Sequence, residues 1–309
     1  MILINECREG KRIKVHKSEF SGLWLVFFGA VFWSLNAPLI KVTELNPILV
    51  CGLRSAIAGI VLAPFIRPKQ LKWNMWMLLY IFSFTGLSLA IIFALKLTSA
   101  TIATGMQATS PIWIFIFGLL GKKEFRRQSL IPIGLIFTGV LFFIFGGKNS
   151  GNNSFGNFIA LSEGLFCALM CISVKKFGSK NPLGATAIAN LATAIIVFST
   201  FSLSPKDLIS IPTRQWYIML VLGIFQTGAG YALYNIGVSN VSPQKAAIIA
   251  LWEMILGPLW VAIFLHEYPS INALLGLAVI LLGIILNAFI SDNDRSIKLK
   301  EELRADNYA

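Results

Sequence analysis

The sequence predicts an all-α integral membrane protein with ten transmembrane helices, arranged as two inverted five-helix repeats. Of the 309 residues, 56% are hydrophobic and 13% are charged, which is about half the charge of an ordinary soluble domain. The apolar residues form ten runs, most of them long enough to cross the hydrocarbon core of a bilayer. The second half of the chain also repeats features of the first half at a nearly constant offset.

Charged residues, prolines and glycines set the ends of the ten runs. The predicted spans are 20–40, 47–66, 73–95, 99–120, 130–145, 157–177, 183–203, 216–238, 243–265 and 271–290. The first run follows a basic tail and is too long for the core of a signal peptide, so it is interpreted as an uncleaved helix. The fifth run is short and requires a tilted neighbour or a locally thin bilayer.

The distribution of positive charge predicts the orientation. Twenty Lys and Arg residues lie in the tails and loops on the side of the N-terminus, and five lie in the loops on the other side. Because positive loops stay in the cytoplasm, both termini are expected to be cytoplasmic, in a multi-pass protein of the inner (cytoplasmic) membrane. The net charge of +12 therefore reflects loops between apolar runs, and nucleic acid is not an expected partner.

Two offsets relate the halves of the chain. A shift of 143 positions places Glu267 on Glu124 and Glu253 on Ser110, whereas the first and sixth spans match at 134 positions. Because each half has an odd number of spans, the second half enters the membrane in the opposite orientation, with the substrate site expected between the halves near the midplane. The predicted organisation is a basic tail (1–19), a first repeat (20–145), a linker (146–156), a second repeat (157–290) and a cytoplasmic tail (291–309).

Several short motifs recur in the two halves. In the first half they are Trp33-Ser34-Leu35-Asn36, Arg54, the run 94–101 and Pro111, thirteen residues before Glu124. In the second half they are the run 234–243, Glu253-Met254, Glu267, Gly276 and Gly283. With these motifs the chain resembles the EamA-type proteins of the drug/metabolite transporter superfamily.

The resemblance implies a ten-helix carrier whose central cavity is lined mainly by the first four helices of each half. It also implies transport of small metabolites such as amino acids, often outward. One position departs from the family pattern, because Met254 stands where a proline is usual and Pro258 follows four residues later. The position of a kink in the ninth span is therefore left open.

Three ionisable residues inside spans are candidates for transport. Glu253 is interpreted as a partner of a substrate amine, a proton site or a member of a structural ion pair, because intramembrane charges usually have such roles. Glu163 is a second coupling candidate, with a snorkelling, solvated group as the alternative. Arg54 suits a substrate carboxylate, and a structural ion pair with Glu163 or Glu253 is its alternative.

Neutral polar and aromatic residues complete the predicted substrate site. They are Trp33, Asn36, Gln107, Gln226, Tyr231, Tyr234 and Trp252. Polar groups of this kind also join helices, and mid-span tryptophans also face lipid or pack in cores. At the membrane boundaries, His266 and Glu267 are interpreted as interfacial anchors.

These features favour a secondary active transporter of small polar or amphipathic metabolites, and the resemblance implies amino-acid-like substrates and export. An integral membrane enzyme acting on lipid-linked substrates is one alternative, but all four aspartates lie in loops or tails and only two histidines exist. Transport of nucleotide-type solutes is another alternative. No catalytic residue, metal or cofactor is expected. The four cysteines have no zinc or disulfide spacing, and the sequence leaves a homodimer open.

Overall fold

Ten apolar helices make up the fold of this chain. The computed structural model describes residues 19–121, 128, 130–145, 154–177, 180–201, 208 and 210–307, without the side chains of 177, 243–244 and 291–307. We number the helices α1 Glu19–Val42, α2 Pro47–Phe65, α3 Met75–Leu97, α4 Ala100–Leu120, α5 Leu130–Phe145, α6 Ser154–Lys176, α7 Pro182–Thr200, α8 Thr213–Val238, α9 Lys245–Leu265 and α10 Ile271–Ile290.

The helix bounds confirm the ten predicted spans. In the part of the chain that is described, nine helices are long and apolar enough to cross a membrane, and α5 is a shorter apolar helix. The last helix continues to Asn307, into the segment predicted as a tail, and α6 begins at Ser154, inside the predicted linker. The rest of the linker and nearly all of the basic N-terminal tail lie outside the described residues.

Polar residues just before the apolar runs start several helices. The side chains of Asn46, Asn74 and Asn181 accept hydrogen bonds from backbone N–H groups in the first turns of α2, α3 and α7, and Ser99 does the same for α4. The first N–H groups of a helix have no partner within the helix, so such caps stabilise its start. These caps explain why the helix ends follow the sequence so closely.

The helices pack in pairs that relate the two halves. Helix α2 packs on α7, α5 on α10 and α4 on α9, so each of these pairs joins corresponding helices of the two repeats. Helix α3 packs on α6, and its counterpart is the packing of α8 on α1. Exchanging the halves leaves this set of pairs unchanged, as two inverted repeats require.

Small residues allow the close approach of α5 and α10. A methyl group added at Gly139 would lie 2.6 Å from the carbonyl oxygen of Gly276 and 2.5 Å from Ile280. Glycine is therefore the residue that fits where these two backbones cross.

Candidate substrate site between the two halves

Helices α4 and α9 are each broken near the middle of their length. The first consists of Ala100–Gln107 and Ser110–Leu120, and the second consists of Pro243–Ala250 and Trp252–Leu265. The breaks fall at Ala108 and Leu251, which are 143 positions apart and match the offset of the repeat. Breaks of this kind place half-helix ends near a substrate site in many transporters.

The sequence left open where the ninth span is kinked, and the break in α9 supplies this position. The helix turns at Leu251, before Met254, whereas Pro258 lies inside the second segment without ending it. At both breaks a backbone N–H bonds to the carbonyl oxygen three residues earlier, as in a 3₁₀ turn. Ala108 donates to Gly105 in α4, and Leu251 donates to Ile248 in α9. The duplicated framework, rather than the local proline, therefore sets the position of the break.

Glu253 lies in the first turn of the second segment of α9. The N-terminus of a helix carries partial positive charge and favours an anionic side chain there. The side chain is partly exposed, and among the described residues it has no ion pair. Its charge is therefore left available for a ligand.

Arg54 is buried in α2, with 5% of its surface exposed. Its Nη1 donates a hydrogen bond of 3.0 Å to the Oδ1 of Asn36 in α1, whereas its Nε has no hydrogen-bond partner within the described chain. The two glutamates considered as its partners are both described, and neither forms an ion pair with it. The suggested pairing of Arg54 with Glu163 or Glu253 is therefore wrong in this structure.

An aromatic cluster joins α1, α3 and α8. The ring of Trp33 lies 5.0 Å from that of Tyr231 and 4.7 Å from that of Tyr234, and Tyr231 also packs against Phe84 at 5.8 Å. The Nε1 of Trp33 is a buried donor with no partner in the described part of the protein. Tyr231 interacts electrostatically with both Arg54 and Glu253, so the cluster lies near both charged groups.

Glu163 is fully buried in α6. None of its surface is exposed, and neither carboxylate oxygen has a hydrogen-bond partner among the residues that are described. It interacts electrostatically with Glu253, so the two carboxylates that the sequence placed inside spans lie in one region of the protein. The burial excludes the alternative of a snorkelling, solvated side chain.

One face of α6 adds two residues that the sequence analysis did not select. Cys167, one turn after Glu163, interacts with the side chains of Ser110 and Cys171 and with the charge of Glu253. Ser110 and Glu253 are equivalent positions in the two repeats, and both therefore approach Cys167. The spacing of four residues between Glu163, Cys167 and Cys171 places them on one helix face. This spacing was the feature of the sequence from which the two cysteines could have been selected.

Three other residues of the predicted substrate site have different surroundings. Trp252 is 45% exposed, and its ring contacts Phe27 at 6.0 Å. Gln226 is buried in a π-helical segment of α8, Val221–Ala229, where its side chain accepts a hydrogen bond from Thr227. Gln107 is partly buried at the end of the first segment of α4. The structure therefore brings Trp33, Asn36, Arg54, Tyr231, Tyr234, Glu163 and Glu253 together.

A polar, partly uncompensated site between two inverted repeats with broken helices is typical of a membrane transporter. Comparison with known families agrees: the EamA-like transporter family matches residues 20–145 and again 154–289. The chain belongs to this family. It is a multi-pass membrane protein of a transporter family, with ten helices in two repeats.

Curated relatives cover most of the chain. The probable amino-acid metabolite efflux pump of Salmonella typhimurium is 25% identical over 285 residues, which is 86% of this chain and 94% of that protein. The uncharacterized transporter YvbV of Bacillus subtilis is 26% identical over 281 residues, covering 85% and 90%. The threonine/homoserine exporter RhtA of Escherichia coli is 23% identical over 239 residues, covering 75% and 78%.

The architecture also occurs in solved structures. One crystal structure is similar over 88% of this chain and 98% of its own, with a TM-score of 0.59 and 18% sequence identity. At that identity the similarity shows the fold alone.

Proposed function

We propose that the protein is a secondary active transporter that exports small amino-acid-like metabolites by alternating access between its two inverted repeats. The observation that carries this proposal is the arrangement of Arg54 and Glu253. These two oppositely charged groups form no ion pair within the described residues, and both interact with Tyr231. Unpaired charges inside a membrane protein are costly and usually serve a ligand or an ion.

The chemistry of the two groups suits a zwitterion. The Nε of Arg54 and the Nε1 of Trp33 are buried donors without partners among the described residues, and a ligand carboxylate accepts hydrogen bonds from donors of this kind. The carboxylate of Glu253 is a suitable partner for a ligand ammonium group. An α-amino acid carries both groups on one carbon, so it matches both ends of the site.

The aromatic cluster favours a substrate with a small apolar part. The rings of Trp33, Tyr231 and Tyr234 pack together, and Tyr231 interacts with both charged groups. Aromatic faces pack against methyl and methylene groups as well as cations. Relatives named as an amino-acid metabolite efflux pump and a threonine/homoserine exporter support this substrate class and the outward direction.

Coupling to an ion gradient is assigned to the two carboxylates. Glu163 and Glu253 interact within one region, and like charges held together in a low dielectric repel each other strongly. A proton or another cation bound at this pair would offset the repulsion, and its release would favour the other conformation. We therefore propose Glu163 and Glu253 as the coupling sites, with Glu253 shared between the ion and the substrate amine.

The same proposal includes the movement of the two repeats, the orientation of the protein in the membrane and its partners. The two repeats rock about the central site, with the two tails and the linker outside them at the predicted boundaries, and the protein lies in the inner membrane with both termini in the cytoplasm. Its partners are the substrate and the lipid bilayer, and a homodimer is compatible with this scheme. The named relatives are transporters, which favours this function over an enzyme acting on lipid-linked substrates.

A ligand series tests the substrate class. Purified protein in detergent is titrated with threonine, with threonine methyl ester, which lacks the anionic carboxylate, and with N-acetylthreonine, which lacks the ammonium group. We expect threonine to raise the melting temperature and each analogue to bind at least about tenfold more weakly, because each loses a charge-assisted interaction. Equal binding of all three compounds would refute a zwitterion site.

A further inference from the structure

Helices α4 and α9 close the bundle at one end, where they pack on each other, whereas their segments at the other end have separate neighbours. The second segment of α9 packs on the first segment of α4 and on residues Asn36–Val42 of α1. The other segments have different neighbours, since Ser110–Leu120 of α4 packs on α6 and Pro243–Ala250 of α9 packs on α10. The closed end is the one that carries Lys41 and Glu267, which is the outer end in the proposed orientation.

A charged cluster crosses the two repeats at the closed end. The Nζ of Lys41, at the end of α1, lies 2.7 Å from the Oε2 of Glu267 and donates a hydrogen bond of 3.1 Å to the carbonyl oxygen of Thr98. The other carboxylate oxygen of Glu267 accepts a hydrogen bond of 3.2 Å from the backbone N–H of Ala100. Two side chains therefore connect the end of α1, the start of α4 and the end of α9.

The position of Glu267 suits its negative charge. Ala100 is the first residue of α4, and its N–H has no partner within the helix. A carboxylate there satisfies this donor and interacts with the positive end of the helix dipole. Glu267 is thus more than the interfacial anchor that the sequence indicated.

The backbone before Glu267 adopts an uncommon conformation. His266 ends α9 with a φ of 54° in the left-handed region, and it is the one non-glycine residue with positive φ in the described part of the chain. Side chains disfavour this region, so it persists where the surrounding contacts hold it. Here the turn brings Glu267 against α4.

We propose that the contact between Lys41 and Glu267 is a latch that holds the outer end of the transporter closed. This inference rests on the proposed alternating access. The pair joins the ends of α1 and α9 to the start of α4, through the carbonyl oxygen of Thr98 and the N–H of Ala100, so an outward opening between α4 and α9 must break these contacts. Because their side chains are 15% and 37% exposed, the pair is solvated and contributes modestly, as a contact that must open in each cycle requires.

Two neutral contacts at the same end do not have this role. Thr43 donates to Gln215 between α1 and α8 at 2.7 Å, and Thr98 donates to Asn157 between α3 and α6 at 2.6 Å. These helix pairs pack extensively elsewhere as well, so the two hydrogen bonds join helices that are already held together. The latch instead joins α9 to the start of α4, and the segments of these two helices at the opposite end have other neighbours.

Labelling of a reporter cysteine tests the latch. Gln107→Cys, in a background without the four native cysteines, is exposed to a membrane-impermeant maleimide from the face that carries Glu267. In Glu267→Gln and in Lys41→Gln, we expect the labelling rate to rise about fivefold, which is the effect of losing a modest ion pair. The double variant is expected to label no faster than either single variant, because both substitutions open the same contact.

Glu44→Gln is the matched control, since Glu44 is an exposed carboxylate at the same end and has no ion pair within the described residues. Its labelling rate should equal that of the parent. Unchanged labelling in the latch variants, or an equal rise in the control, would overturn the proposal. Either single variant suffices if the other fails to fold, as judged by its melting temperature.

Binding of threonine by Glu267→Gln and Lys41→Gln in the otherwise native chain separates the two proposals. Threonine binding with unchanged labelling would refute the latch and leave the substrate proposal standing. Faster labelling without threonine binding would support the latch and refute the proposed substrate.

Discussion

Replacing Arg54 by lysine or glutamine distinguishes a binding role of this residue from a structural one. The guanidinium is buried in α2, donates to Asn36 at 3.0 Å, and leaves its Nε without a partner among the described residues. A lysine keeps the positive charge but lacks the planar set of donors that matches a carboxylate. Glutamine removes the charge.

Replacing Arg54 is expected to weaken threonine binding without lowering the stability of the fold. Arg54→Lys loses one charge-assisted hydrogen bond to the ligand, worth about 1.5–3 kcal/mol, which raises the Kd for threonine roughly tenfold to more than a hundredfold. Arg54→Gln should abolish measurable binding. Its melting temperature should stay the same or rise. The guanidinium is buried and has no ion pair within the part of the chain that is described, so removing its charge relieves the cost of burying it.

Isothermal titration calorimetry and thermal unfolding of the same samples supply both quantities. Arg214→Lys is the control, since Arg214 is an exposed arginine at the start of α8, and this variant should bind threonine like the parent. A large fall in melting temperature for Arg54→Gln would indicate a structural charge instead. Unchanged binding in Arg54→Lys would refute the assignment of Arg54 to the substrate carboxylate.

Two further comparisons use matched pairs within the chain. Trp33→Phe removes a buried donor that has no partner among the described residues, and it should weaken threonine binding about tenfold. Trp252→Phe changes a 45% exposed side chain and should alter binding less than about twofold; equal losses in titration calorimetry would contradict this. Gly139→Ala should destabilise the fold by about 1–3 kcal/mol through overpacking against Gly276. Gly134→Ala should not, because no atom of the described chain lies within 4 Å of the added methyl group; equal melting temperatures would refute the packing argument.

The sequence predicted the helices well because their ends are locally encoded. Asn46, Asn74 and Asn181 stand directly before apolar runs and cap the helices that follow. The break in α9 was not predictable from its proline, because Pro258 is accommodated within the second segment. The offset of 143 residues carried that information, since it relates Leu251 to the break at Ala108 in α4.

The charged members of the candidate site were selected because charges inside spans are rare. Their partners depended on tertiary structure, and the sequence could not show that Arg54 bonds Asn36 or that Glu163 is fully buried. Trp252 was selected for its depth alone. Successive helical residues point about 100° apart, so the neighbour of an inward-facing Glu253 need not face the site, and Trp252 packs outside it against Phe27.

Threonine efflux from proteoliposomes that contain Glu253→Gln tests the central claim most directly. The substitution keeps the shape of the side chain and removes the charge proposed to bind the substrate amine and the coupling ion. We expect gradient-driven efflux to fall at least about tenfold with the melting temperature unchanged, while Glu44→Gln transports like the parent. Full efflux by Glu253→Gln, with the same dependence on the ion gradient as the parent, would contradict the account.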